Sequence, residues 1–210
     1  TTDDVNDAVA YAHEAQVAWA AKTAKERAEL LQKWADLIDA NKEDLAIIMT
    51  AEQGKPLTES RGEIGYANSF IRWFAEEGKR VYGDVIPANS TQLRHVVLKQ
   101  PVGVCAAITP WNFPAAMITR KVAPAMAAGC TIIVKPATET PFSALALGAL
   151  AEQAGIPAGV LQIVTGKSST IGEILTGDAR IHKLSFTGST EVGRTLMAQC
   201  APTIKKLSLE

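Results

Sequence analysis

The stretch VGVCAAITPWNFPAAMITRKVAPAMAAGCTIIVKP, residues 102–136, decides the fold of this chain. Its two ends are short apolar segments with β-branched residues, which predict buried strands, and the residues between them predict a helix over 115–128 that stops at Gly129. The alternation continues, with strands predicted over VLQIVT, HKLSFT and KKLSLE and helices over 141–154, 168–176 and 189–199. Thr140 and Pro141 are expected to supply an N-cap and a proline at the first helical position. Such alternation predicts an α/β fold with a parallel sheet and flanking helices.

The first eighty residues predict helices. Thr23 and Glu26 have the spacing of a capping box, and a stripe of apolar residues follows them on one helical face. A second helix is predicted over about 41–53, where Gly54 stops it, and a third over roughly 58–80. We expect these helices to pack against the rest of the chain.

Residues 81–100, VYGDVIPANSTQLRHVVLKQ, change character. They alternate between apolar and polar types and contain a polar turn at Asn89 and Ser90, which predicts a β-hairpin that projects as an arm. The chain is therefore divided into an N-terminal helical part, a hairpin and a sheet region, at residues 1–83, 84–101 and 102–210.

The composition excludes several classes of protein. The net charge is −1, with 21 basic and 22 acidic residues, which gives no sign of a nucleic-acid-binding surface. No apolar run reaches the roughly 20 residues that span a bilayer, and the acidic start does not resemble a signal peptide. We expect a soluble, cytoplasmic protein with no membrane partner. Cys105, Cys130 and Cys200 are widely spaced in apolar segments, which argues against a disulfide framework or a metal site and favours buried thiols.

Five loops at the carboxyl ends of the predicted strands stand out, because parallel sheets bind ligands at that edge. They are TPWNFP, KPATETP, TGKSS, FTGSTEVG and the terminal LSLE, and the G-x-G-x-x-G dinucleotide pattern is absent. Gly188 permits close approach of a ligand and Ser189 can cap the next helix, whose N-terminus attracts phosphate; an ordinary helix start is the alternative. Lys135 closes a buried strand, so its ammonium either meets a ligand at the sheet edge or extends into solvent.

The loop TPWNFP holds the sharpest candidate. Pro110 and Pro114 restrict the backbone around Asn112, and a rigid amide donor at this edge suits stabilisation of an oxyanion. The alternative is that Asn112 caps the following helix. Trp111 either forms a wall for a flat ligand or covers the core.

Arg120 lies in a helix of small and apolar residues, where an unpaired charge is costly. The residue therefore needs a partner, and an internal ion pair is the simplest one.

TPWNFP, KPATETP, FTGSTEVG and LSLE, in this order and at these intervals, resemble the aldehyde dehydrogenase superfamily along essentially the whole chain. Within it, PWNFPAAMITRKVAPAMAAGCTIIVKPA is most similar to succinate-semialdehyde dehydrogenases. The resemblance implies a Rossmann-like dinucleotide-binding region at residues 102–210, a hairpin that reaches a neighbouring subunit, and a homodimer or homotetramer.

The resemblance also implies a mechanism. A cysteine attacks the aldehyde, Asn112 holds the oxyanion, hydride passes to a nicotinamide cofactor, and Glu210 acts as general base in hydrolysis of the thioester. The family cysteine lies in a catalytic domain beyond the glutamate, and Cys105, Cys130 and Cys200 lack its setting. We therefore expect an inactive N-terminal part of a protein more than twice as long.

The expected cofactor is NADP, with NAD as the other candidate. Members that prefer NAD often carry a glutamate where this chain has Thr138, followed by Glu139, and a neutral hydroxyl removes repulsion of a 2′-phosphate. The residues that the resemblance assigns to the cofactor site are Thr109, Pro110, Trp111, Asn112, Lys135, Pro136, Ala137, Thr138, Phe186, Thr187, Gly188 and Ser189.

For the substrate, the resemblance assigns Arg120 to the distal carboxylate of succinate semialdehyde, a small-molecule partner. Glutarate semialdehyde, one carbon longer, suits Arg120 equally well. A different class of function, a non-catalytic nucleotide-binding module that stands alone, is the remaining alternative.

Overall fold

The computed structural model describes all residues, 1–210. Its first part consists of four helices: α1 (Thr2–Ala21), α2 (Ala24–Ala40), α3 (Lys42–Gln53) and α4 (Leu57–Glu77). Helix α2 begins with the predicted capping box, in which the Thr23 hydroxyl accepts from the Glu26 N–H and the Glu26 carboxylate accepts from the Thr23 N–H. Helix α3 ends at Gly54 in the left-handed conformation, with φ of 87°. The predicted helical start of the chain is confirmed.

The predicted hairpin is also present. Strands β1 (Asp84–Ile86) and β2 (His95–Val97) pair with each other in antiparallel fashion and with no other strand. All six residues of the two strands are exposed. The hairpin therefore projects from the body of the chain, and its expected role in subunit contact stays a prediction.

The second part is a five-stranded parallel sheet, flanked by helices as the sequence predicts. The strands are β3 (Val104–Ile108), β4 (Ile132–Lys135), β5 (Leu161–Ile163), β6 (Ile181–Phe186) and β7 (Lys206–Leu209), in the spatial order β5-β4-β3-β6-β7. The intervening helices are α5 (Ala116–Ala127), α6 (Pro141–Gln153), α7 (Ser168–Gly177) and α8 (Thr190–Cys200). Gly129 and Gly155 follow α5 and α6 with φ of 88° and 87°, as left-handed stops.

Two cores cover the two faces of the sheet. Alternation along the strands sends Cys105 and Ala107 to one face and Val104 and Ala106 to the other. Helices α2 to α6 and Trp19 at the end of α1 pack over the first face, and the rest of α1 packs with α7 and α8 over the second. The N-terminal helices are therefore structural layers of the same unit as the sheet. None of the helices combines the length and apolar character that a membrane crossing requires.

The start of helix α6 differs in one respect from the prediction. Thr140 occupies the N-cap position and Pro141 the first helical position, but the Thr140 hydroxyl is buried and has no hydrogen-bond partner. The Glu52 carboxylate, from α3, accepts from the backbone N–H groups of Phe142 at 2.7 Å and Ser143 at 2.8 Å. Glu52 supplies the cap because a carboxylate satisfies two helix donors at once and favours the positive end of the helix.

Replacement of Glu52 by alanine is expected to lower the free energy of unfolding by about 1 kcal/mol, the usual cost of a lost N-cap. The measurement is urea denaturation of the chain followed by circular dichroism. Glu14→Ala is the matched control, because Glu14 is an exposed helical glutamate without a hydrogen bond to the rest of the chain. Equal stability of the two variants would show that the Glu52 contacts do not stabilise the start of α6.

Candidate active site

The strand order places a crevice between β3 and β6. The chain proceeds from β3 outward to β4 and β5, then returns to the other side of β3 to form β6 and β7. Ligands of open α/β sheets bind where the order reverses in this way, beyond the carboxyl ends of the strands. Thr109 follows β3 and Thr187 follows β6, and the Thr187 N–H donates to the Ile108 carbonyl at 3.2 Å. The predicted loops therefore meet at one edge of the sheet.

Two side-chain groups of the loop after β3 are available to a ligand, the Thr109 hydroxyl and the Trp111 indole. The Thr109 side chain is buried, and its hydroxyl has no hydrogen-bond partner within the chain. A buried polar group without a partner costs about 1–3 kcal/mol, so this hydroxyl is suited to a ligand atom. Trp111 is 55% exposed, which answers the question that the sequence left open: its indole does not cover the core.

Lys135 lies at the carboxyl end of β4 and is only 5% exposed. Its ammonium donates to the Ser168 hydroxyl at 2.8 Å, and the Thr138 hydroxyl lies 3.5 Å from the same oxygen. Burial lowers the pKa of the Lys135 ammonium, and the Glu139 carboxylate partly opposes that effect. Lys135 therefore stays at the sheet edge with two hydroxyls and does not extend into solvent. Pro136 and Ala137, which follow it, are buried.

The loop after β6 has a structural reason for its glycine. A Cβ atom at Gly188 would lie 2.5 Å from the ring of Phe186, so the glycine is required for packing on that buried ring. Close approach of a ligand is not needed to explain it. Ser189 caps α8 as predicted, with its hydroxyl accepting from the Val192 N–H at 3.3 Å.

A cluster of charged and hydroxyl groups surrounds Glu210 at the carboxyl end of β7. The Thr187 hydroxyl donates to one Glu210 oxygen at 3.0 Å and accepts from the Lys121 ammonium at 2.6 Å. Lys121 itself lies 3.9 Å from the Glu210 carboxylate. Burial lowers the pKa of Lys121, the Glu210 carboxylate raises it, and the neighbouring Arg120 guanidinium lowers it further. The cluster joins α5 to the ends of β6 and β7.

Arg120 has the ion-pair partner that its position requires. Its guanidinium lies 3.6 Å from the Glu210 carboxylate and 5.4 Å from the centre of the Phe70 ring. The side chain is 31% exposed, and both it and Glu210 line a cavity of about 530 Å³ beside α5. The helix is thus less closed around Arg120 than its sequence predicts, and the guanidinium remains open to a ligand.

The Asn112 side chain is exposed and makes no hydrogen bond within the chain. It does not cap the next helix, because the N-cap position of α5 belongs to Ala115. The cap comes instead from the carboxylate of Glu63 in α4, which accepts from the N–H groups of Ala115 and Ala116. The alternative role for Asn112 as a helix cap is therefore wrong, and its amide is free to contact a ligand.

The candidate residues form two groups, with Lys135 and Thr138 on the β4 side and Arg120 and Glu210 on the β7 side. The residues that complete these groups were not predicted from the sequence. Ser168 lies in TGKSS, a segment singled out by its place after a strand, and Lys121 is a second cation in the apolar helix of Arg120. The other missed residues are Lys55 and Glu63, which contact the Asn112 loop from α4 and the turn before it.

Cys105, Cys130 and Cys200 are free and buried, as predicted. Burial raises the pKa of the Cys200 thiol, and the hydrogen bond with the Cys130 thiol, together with burial, raises the pKa of the Cys105 thiol. No group of three or more histidine, cysteine, aspartate or glutamate side chains is arranged to hold a metal ion.

Curated proteins of known activity match the chain closely. Succinate-semialdehyde dehydrogenase (NADP(+)) GabD of Escherichia coli is 61% identical over 208 residues, which are 99% of this chain and 43% of that protein. Glutarate-semialdehyde dehydrogenase of Pseudomonas putida is 60% identical, covering 100% of this chain and 44% of the relative. The 3-sulfolactaldehyde dehydrogenase of Pseudomonas putida is 63% identical, covering 97% and 42%. The chain thus spans less than half the length of these relatives.

A solved structure agrees with the sequence matches. The crystal structure of aldehyde dehydrogenase from Brucella melitensis biovar abortus 2308 superposes with a TM-score of 0.99 at 68% identity, over 100% of this chain and 44% of that one. The sequence model of the aldehyde dehydrogenase family matches residues 1–210. The chain, with its parallel sheet and the loops that meet at its edge, belongs to the aldehyde dehydrogenase family.

Proposed function

We propose that this chain is the N-terminal part of a longer enzyme, here called the parent protein, that oxidises succinate semialdehyde to succinate with NADP or NAD. The chain would contribute the cofactor site, the oxyanion donor Asn112 and the general base Glu210. The nucleophilic cysteine would lie outside these 210 residues, so the chain alone is expected to be inactive. The observation that carries the proposal is the position of Arg120, whose guanidinium lies 3.6 Å from the Glu210 carboxylate.

The residues at the crevice fit a nicotinamide dinucleotide. The buried Thr109 hydroxyl lacks a partner, the Trp111 indole is exposed, and α8 begins at the same edge with its positive end toward the crevice. Lys135 and Thr138 would hold the adenosine ribose or its 2′-phosphate, with Ser168 as their neighbour. The bound cofactor supplies the hydride acceptor.

The groups of this chain would act at two points of the reaction. The Asn112 amide, with no partner in the chain, would donate to the oxygen that becomes negative when a thiolate attacks the aldehyde carbon. Glu210 would then take a proton from the water that hydrolyses the thioester. The Thr187 hydroxyl donates to Glu210 and fixes the direction of its carboxylate.

The substrate assignment rests on charge. The names of the three relatives contain the aldehydes succinate semialdehyde, glutarate semialdehyde and 3-sulfolactaldehyde. Each of these compounds carries an anionic group in addition to the aldehyde. A partly exposed guanidinium over the Phe70 ring suits such a group, because arginine binds carboxylates and sulfonates through paired N–H donors. Glutarate semialdehyde is the second candidate substrate, because Arg120 by itself would not discriminate between two aldehydes that differ by one carbon. The alternative of a different class is a non-catalytic nucleotide-binding module. In that case this chain would bind NADP by itself and would not be part of a longer gene product.

We also propose that the parent protein is a homodimer or homotetramer. The hairpin exposes apolar side chains that a neighbouring subunit would cover, with Val85 77% exposed, Val96 61% and Leu98 75%. An isolated two-stranded hairpin is only marginally stable in water, so a partner surface would stabilise it.

Arg120→Ala in the parent protein is expected to raise the KM for succinate semialdehyde far more than that for butyraldehyde, which has four carbons and no carboxylate. The wild-type kcat/KM should favour succinate semialdehyde by a hundredfold or more, about 2.7 kcal/mol, and the variant should lose most of that preference. Steady-state kinetics with NADP measure both. Equal effects on the two aldehydes would mean that Arg120 has a structural role.

Thr138→Glu is expected to weaken NADP binding at least tenfold and NAD binding less, because the new carboxylate repels a 2′-phosphate. Fluorescence titration of the parent protein with each cofactor is the measurement, and wild type should bind NADP at least as tightly as NAD. Thr195→Glu is the control, since it adds the same charge at an exposed position of α8. A clear wild-type preference for NAD, or equal losses for both cofactors, would contradict the role of Thr138.

A further inference from the structure

Helix α5 begins without a cap of its own. Its N-cap residue is Ala115, whose methyl group cannot accept a hydrogen bond. The backbone N–H groups of Ala115 and Ala116 donate instead to one oxygen of Glu63, at 2.9 Å and 3.2 Å. Glu63 belongs to α4, and its side chain is 2% exposed. The start of α5 is thus fixed by a buried carboxylate that comes from another helix.

Lys55 connects this carboxylate to the residues just before α5. Its ammonium donates to the second oxygen of Glu63 at 2.5 Å and to the main-chain carbonyl of Asn112 at 2.8 Å. It also lies 4.4 Å from the centre of the Phe113 ring, and the lysine side chain is 10% exposed. Gly54 ends α3 in the left-handed conformation just before Lys55, and Pro56 restricts the backbone just after it. The Lys55 ammonium therefore binds both the loop that contains Asn112 and the Glu63 carboxylate that caps α5.

The contacts fix the backbone around Asn112 and leave its side chain free. Lys55 binds the carbonyl of Asn112, and Glu63 binds the two N–H groups a few residues later. The Asn112 amide is exposed and has no partner within the chain. Stabilisation of an oxyanion requires a donor that is placed before any ligand binds, and the fixed main chain places the backbone from which the Asn112 amide extends.

Stability alone does not account for this buried pair. A buried ion pair is often replaceable by apolar side chains without loss of stability, because the desolvation of both charges offsets their attraction. Apolar replacements could not donate to the Asn112 carbonyl or accept from the start of α5. We propose that Lys55 and Glu63 are positioning residues that orient the Asn112 amide for the reaction. The inference rests on the proposed function, in which Asn112 is the oxyanion donor.

A double-mutant cycle in the parent protein tests the inference. Lys55→Met is expected to lower kcat/KM for succinate semialdehyde about tenfold to a hundredfold, and Asn112→Ala about a hundredfold or more. The variant with both changes should be no worse than Asn112→Ala alone, because Lys55 acts through that amide. The dissociation constant for NADP should not change in Lys55→Met. The control is Arg61→Met. Arg61 lies on α4 and makes an exposed ion pair with Glu43, so the kcat/KM of this variant should stay within about twofold of wild type.

Lys55→Met leaves a buried carboxylate without its cation, so its folding is checked by thermal denaturation. Lys55→Met combined with Glu63→Gln removes both charges and keeps an amide oxygen for the start of α5. This variant should melt near wild type and still lose kcat/KM, because the Asn112 carbonyl has lost its donor. Wild-type kcat/KM in this folded variant would overturn the inference.

The cycle also separates this inference from the function on which it rests. If the losses from Lys55→Met and Asn112→Ala multiply, the positioning role is wrong and the oxyanion role of Asn112 stands. If Asn112→Ala keeps full activity, the oxyanion role fails and the positioning role fails with it.

Discussion

The candidate site depends on the hydrogen bonds that the Glu63 carboxylate accepts from the start of α5 and from Lys55. This carboxylate replaces a cap that the sequence of α5 cannot provide, and through Lys55 it connects α4 to the loop that carries Asn112. Glu52 does the same for α6 from α3. In both places a helix from the first part of the chain supplies negative charge to the N-terminus of a helix that follows a strand. The N-terminal helices therefore shape the edge of the sheet where ligands bind, in addition to covering one of its faces.

The edge of the sheet is divided between two kinds of chemistry. On the β4 side, one buried ammonium donates to the Ser168 hydroxyl, which lies beside the Thr138 hydroxyl, and such a group suits the hydroxyls or phosphate of a ribose. On the β7 side, two cations and a threonine hydroxyl surround one carboxylate, and the Arg120 side chain is 31% exposed. The loop with Asn112 lies after β3, between these sides in the strand order.

Patterns among neighbouring residues were sufficient to predict the helices and strands. They were not sufficient to predict the side-chain contacts between elements that are distant in the chain. The capping box at Thr23 and the left-handed stop at Gly54 are readable because the interacting residues are neighbours in the chain. The alternation of strands and helices predicted the parallel sheet and the edge at which the loops meet, and its motifs indicated the family. The cap of α5 could not be predicted, because Glu63 is 52 residues from Ala115 and its sequence context is that of an ordinary helical glutamate. The partner of Arg120 was missed for the same reason, since pairing with Glu210 depends on how β7 lies beside β6.

The position of α1 has a consequence for how the chain is made. Its apolar stripe, with Val5 and Val9, lies in the core on the far face of the sheet, together with Ile171 and Leu175 of α7. Synthesis of α1 therefore precedes synthesis of the part of its binding surface that α7 provides. At about 5–20 residues per second, roughly eight to thirty seconds separate the two events. During that time the apolar residues of α1 lack their α7 partners, so this face of the sheet is completed late in synthesis.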